Sequence, residues 1–96
     1  MLLQALNNYT VIHEDQRFII ESEGLISYLR FHVHDETLDL FSAYVPESLR
    51  GNGYAASLIL HALKYAVVNG LRVHPDCAAV RAYLKLYPEW TYIIAQ

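Results

Sequence analysis

"VPESLRGNGYAASLILHALKYA", residues 45 to 66, sets a proline, an arginine and two close glycines between a strand-like run and a helix-like one. A turn that only changes direction has little use for a fixed cation beside two glycines. Pro46 lacks a backbone donor and ends the strand before it. From Tyr54 to Asn69 nearly every position is apolar, and Ser57, His61 and Lys64 make one polar stripe at helical spacing. The stretch reads as strand end, loop and the head of a mostly buried helix.

That loop has two readings on its spacing alone. In one, the unpaired amides of the helix's first turn and the positive end of its dipole form an anion site. Gly51 and Gly53 let a ligand approach closely, and Arg50 adds donors suited to phosphate oxygens. In the other, the glycines serve turn geometry only. Three phosphate motifs compete for the first reading. A Walker A loop needs Gly-Lys-Ser/Thr, which "RGNGYAAS" lacks. The dinucleotide fingerprint is met in letters by Gly51, Gly53 and Ala56, but it belongs to repeated βαβ units. The R/Q-x-x-G-x-G/A loop for acetyl-CoA is matched by Arg50, Gly53 and Ala55.

Upstream, "RFIIES" (17–22), a turn at Glu23-Gly24, "LISYLRFH" (25–32), the turn "VHDET" and "LDLFSAYVP" (38–46) read as three strands. Short turns make them an antiparallel meander. In the last strand Leu38, Leu40 and Ser42 share one face, and Asp39, Phe41 and Ala43 the other. Downstream, Asn69-Gly70 stops the helix, and "LRVH" (71–74) is a short strand parallel to the one before it. Asp76 is placed to cap a second helix over about Cys77–Tyr87, which Pro88 closes. The order is βββ-α-β-α: an α+β fold with a mixed sheet.

Ninety-six residues make one domain, expected to span 1–96. With 54% hydrophobic and 18% charged residues, the chain is a globule rather than a disordered tail. A net charge of −3 argues against nucleic acid, because neutralising phosphates takes a basic surface. "MLLQALNNYT" lacks the features of a leader peptide, and no apolar run approaches the ~18 residues of a membrane span. The single cysteine forms no internal disulfide, which favours a reducing, cytoplasmic setting. Packing and a homodimer face account for the 8 tyrosines. The 5 histidines include His32 and His34 on one strand face, yet no metal motif appears, and no metal is expected.

The chain resembles the GNAT superfamily of acyl-CoA-dependent N-acetyltransferases, and most closely its very small, single-domain members. "VPESLRGNGYAASLI", "LRVHPDCAAV" and "YLKLYPEW" carry the likeness in order and at the right spacing, over about residues 10 to 94. Val45, Pro46, Arg50, Gly51, Gly53, Ala55, Val73, Pro75, Cys77, Tyr83, Pro88, Glu89 and Trp90 fall on the pattern of these small proteins. One departure is the Ser42-Ala43-Tyr44 segment, where they often carry a His/Thr/Glu-type run. The resemblance implies acetyl-CoA as cosubstrate, its pyrophosphate on the amides of Arg50, Gly51, Asn52, Gly53, Tyr54 and Ala55. It also implies a pantetheine arm pairing near Tyr44 and Val45, where that strand splays from residues 71–74.

Acetyl transfer by direct attack needs a base for the amine, a donor for the thioester carbonyl and an acid for the thiolate. His74, at the end of its strand beside the splay, is the candidate proton acceptor; a structural histidine is the alternative. Cys77 begins the second helix, where the dipole favours a thiolate, and fits an acid, a nucleophile or a small buried hydrophobe. Tyr83 matches an acid tyrosine of larger relatives only approximately and also fits the packing stripe with Val80, Leu84 and Tyr87. The acceptor is an amine, small molecule or protein lysine. The alternatives are a CoA-binding module without turnover and a subunit whose acceptor site a partner completes.

Overall fold

The computed structural model describes residues 9–95; residues 1–8, which carry most of the leader-peptide reading, lie outside them. Five strands, β1 (Ile12–Glu14), β2 (Arg17–Ser22), β3 (Leu25–His34), β4 (Thr37–Tyr44) and β5 (Arg72–Pro75), form one sheet in that order. The first four pair antiparallel and β5 runs parallel to β4. The mixed α+β sheet expected from the sequence is present, with β1 as an additional edge strand.

Backbone chirality explains the tight hairpins. Glu23 and Gly24 have φ of 55° and 76°, and Asp35 and Glu36 have 50° and 61°, so both central residues of each turn are left-handed. That geometry matches the twist of the flanking strands. The next loop winds one 3₁₀ turn (Glu47–Leu49) before α1 (Tyr54–Val68). After β5 comes α2 (Ala78–Leu86), and Pro88–Ile93 continue as 3₁₀ turns rather than stopping at Pro88. The chain then returns to the sheet, where Ile94 bridges Val73 and the Ala95 amide donates to the Val73 carbonyl at 2.8 Å.

One core holds these elements together. Phe18, Ile20, Leu29, Phe31, Leu38, Leu40 and Val73 line one sheet face; Leu58, Ile59, Ala62, Leu63 and Ala66 of α1 and Val80 and Leu84 of α2 complete the cluster. His61 is a correction to the wet stripe. Its ring stands edge-on to Phe18 at 5.0 Å and is half-buried, whereas Lys64 is exposed. Partial burial, then the nearby charges of His13 and Lys64, hold its pKa below the ordinary histidine value.

A bulge in β4 corrects the expected strand faces. Phe31 faces Leu40 while Arg30 faces Ser42, so Phe41 is one residue extra. Beyond it the alternation inverts: Ala43 packs on the core, and Ser42 joins the outer face. Bulges add local twist and bend the strand that carries them. Helices α1 and α2 join the core on the inner face, while the outer face carries Tyr28, Arg30, His32, Asp39, Tyr44 and His74.

Candidate functional site

The parallel ladder between β4 and β5 runs only from Thr37↔Arg72 to Leu40↔Pro75. β4 then continues through the bulge to Tyr44 with its β5-side edge unpaired. Polar groups on such an edge are open to an extended ligand arm that pairs like another strand. The ladder thus ends beside the place where the resemblance implies a splay, and the open edge lies at residues 41–44. Val45 falls just past it, and its carbonyl already accepts from Arg50 Nε at 2.8 Å.

The loop beyond is braced from several sides. Asn52 Nδ2 donates to the Leu49 carbonyl at 2.9 Å, and the Tyr9 hydroxyl donates to the Asn52 carbonyl at 2.7 Å. Tyr9 also stacks on Tyr54 at 4.3 Å, a support that the sequence reading missed because it lies far upstream of the motif. Gly51 and Gly53 have φ of 84° and 86°, angles costly for any residue with a Cβ. At Gly51 an added Cβ would meet nothing within 4 Å, so the ground there is open.

The head of α1 faces that open ground. Its first helical bond runs from the Ser57 amide to the Gly53 carbonyl at 3.0 Å, and Gly53 supplies no side-chain cap. The amides of Tyr54, Ala55 and Ala56 therefore precede the helix's own bonding and present donors at the positive dipole end. A cavity of about 400 Å³ lies against them, lined by Ala43, Tyr44, Val45, Arg50, Gly51, Gly53, Tyr54, Ala55, Ala56 and Ala79. Of the expected cofactor residues, only Asn52 is not in the lining; it braces the loop instead. Arg50 is exposed, with its guanidinium 5.9 Å from the centre of the Tyr44 ring. Tyr54 turns its side chain inward, its hydroxyl bonded to Ser22 Oγ at 2.8 Å, so it offers the cavity its backbone.

The three catalytic candidates do not converge on the cavity. Cys77 is the N-cap of α2 rather than its first residue, in extended conformation and buried with the core. It stands two residues past Pro75, where the ladder ends. Asp76 is not the expected cap: α2 has no side-chain cap bond, and Asp76 Oδ2 lies 3.4 Å from His74 Nδ1 instead. Tyr83 is half-buried against the core with its ring 4.6 Å from that of Tyr87. Burial, followed by Tyr87 and Glu89, raises its pKa, so the hydroxyl is protonated at neutral pH.

His74 has company that the sequence did not reveal. Asp39, on the neighbouring strand, puts Oδ1 3.7 Å from His74 Nδ1 and Oδ2 3.4 Å from His32 Nε2. Strand pairing, not sequence proximity, makes this group: Asp39 pairs with both His32 and His74. Asp39 Oδ1 is buried with no hydrogen-bond partner among the described residues. Arg81 Nη1 donates to the Pro75 carbonyl at 2.9 Å.

Among the described residues no helix is long and apolar enough to cross a membrane. No curated protein matches the chain. A family model described as GCN5-related N-acetyl-transferase matches residues 17–93, from β2 through the final 3₁₀ turns.

Proposed function

The chain belongs to the GCN5-related N-acetyltransferase family, and from that premise we propose that it transfers acetyl from acetyl-CoA to an amine by direct attack. The observation that carries the cosubstrate is the α1 head opening on a cavity of about 400 Å³, continuous with the unpaired β4 edge. The pyrophosphate lies on the amides of Gly51 through Ala56, with Arg50 as its charged donor. The pantetheine arm pairs along residues 41–44 and brings the thioester to the end of the β4–β5 ladder. A cavity of this size takes part of the coenzyme and leaves the nucleotide at the surface.

The amine lone pair attacks the thioester carbonyl carbon, and the carbon–sulfur bond breaks to release CoA thiolate. His74 takes the amine's proton. Carboxylates of Asp39 and Asp76 lie beside its Nδ1 and favour the tautomer protonated there, which leaves Nε2 as the base. Cys77, where the ladder ends, protonates the departing thiolate. Tyr83 packs α2. The outer face near His74 is the approach for the acceptor, whether a small amine or a protein lysine. The lone cysteine and the coenzyme both suit the cytoplasm.

The same outer face also supports a second reading, in which the protein binds CoA without turnover until a second copy or another subunit completes the acceptor site. Thiol release from acetyl-CoA in the presence of an amine panel decides. Amine-dependent release that falls about 10²–10⁴-fold in His74→Ala fits the proposal. Calorimetric binding of acetyl-CoA with no amine-dependent release selects the second reading.

A further inference from the structure

We propose that Asp39, His74 and Asp76 form a site for a divalent cation of the zinc class. One donor atom from each lies within 4.8 Å of the others. His74 Nδ1 stands 3.7 Å from Asp39 Oδ1 and 3.4 Å from Asp76 Oδ2. Donors bound at about 2.0–2.1 Å in a tetrahedron stand about 3.3–3.4 Å apart. The two measured edges are therefore close to coordination spacing and long for direct hydrogen bonds.

Burial supplies a second, independent sign. Asp39 Oδ1 is shielded from solvent and has no hydrogen-bond partner among the described residues, although the side chain as a whole is 13% exposed. A buried carboxylate oxygen without a donor is costly, and a cation between it and His74 removes that cost. His32 Nε2 lies 3.4 Å from the other oxygen of Asp39, placed to orient the carboxylate from behind. Asp76 is half-exposed and closes the set from the solvent side, leaving a fourth position for water.

The donor set decides the class. Two carboxylate oxygens and an imidazole balance a charge of +2 and suit zinc, whereas calcium and magnesium take oxygen shells of six or more. Binding needs a neutral imidazole, so zinc and a proton compete for Nδ1. On the acetyl-transfer reading, zinc there withdraws His74 from proton transfer and restrains the enzyme. The metal site itself does not depend on that reading.

Zinc titration of the chelator-treated full chain against a chromophoric competitor tests the site, with cobalt as a spectroscopic stand-in. One zinc per chain is expected, with intense visible cobalt bands of four-coordinate geometry. Asp39→Asn and Asp76→Asn should each weaken binding at least about tenfold. His34→Gln, a control for the adjacent His32–His34 pair, should bind as the native chain does. Because Asp76 is half-exposed, its variant keeps the test sound if Asp39→Asn disturbs folding. Retention of all zinc by the competitor, or unchanged affinity in Asp76→Asn, overturns the site. None of these readouts requires turnover, so the metal site and acetyl transfer fail separately.

Discussion

Arg50 braces its loop and, on the acetyl-transfer reading, also serves the ligand. Its Nε holds the Val45 carbonyl, which leaves the terminal nitrogens of the guanidinium for phosphate oxygens. Truncation removes a brace and a charge-assisted donor. Arg50→Ala is expected to weaken acetyl-CoA binding by about 1–3 kcal/mol in calorimetry; equal affinity removes Arg50 from the site. Gly53 is fixed by a different physics. With φ of 86° at the N-cap, Gly53→Ala forces a left-handed alanine, at a cost of about 1–2 kcal/mol in denaturant unfolding. A neutral result would mean that the loop relaxes and that the glycine serves ligand approach only. The left-handed glycines were legible in the sequence, where two glycines stand close together between a strand and a helix. Asp39 was not: what matters about it is the residue across the ladder, and sequence spacing does not encode strand register.

The β4 bulge sits where the unpaired edge begins. Periodicity of two placed Ser42 inward and Ala43 outward, and a single inserted residue inverts that beyond Phe41. Bulges leave little mark in the amino-acid pattern, and the same limit hid β1, only 3 residues long. Capping went astray for a related reason, since the Asp76 carboxylate lies 3.4 Å from the His74 imidazole instead of capping an amide. Deleting Phe41 leaves the parity on both sides intact and removes the extra twist. The expected result is a folded protein by circular dichroism whose acetyl-CoA affinity falls, because β4 no longer bends away from β5. Undiminished affinity would show that the splay arises without the bulge. On α1, His61 has a folded pKa below its unfolded value, so the unfolded chain takes up the proton first. Its stability contribution is complete above the ordinary histidine pKa of 6.5 and declines as pH falls from there toward the depressed folded value. His61→Gln should flatten that part of the stability–pH curve, measured by urea unfolding. A slope identical to the native one assigns the dependence to other groups.

Across the described residues, Leu49 and Tyr54 at the loop and helix head share one core with Val80 and Leu84 of α2. That arrangement was readable from element order: a meander, a crossover helix and a parallel strand admit few alternatives once handedness is imposed. The surroundings of the outer face were less so, since strand alternation shows which side chains point outward but not what lies over them. A shared core makes the loop before α1 a reporter on the fold around it. Acetyl-CoA at about a hundred times its Kd adds about 2.7 kcal/mol to the native state, which for a domain of this size raises Tm by roughly 10–20 °C. Far-ultraviolet and tyrosine signals should move together by that amount, since loop and core unfold in a single transition. In Arg50→Ala at the same ligand concentration the shift should shrink in proportion to the lost affinity. A ligand that moved only the tyrosine signal would divide the loop from the core, and a ligand that moved neither would leave the α1 head without its anion.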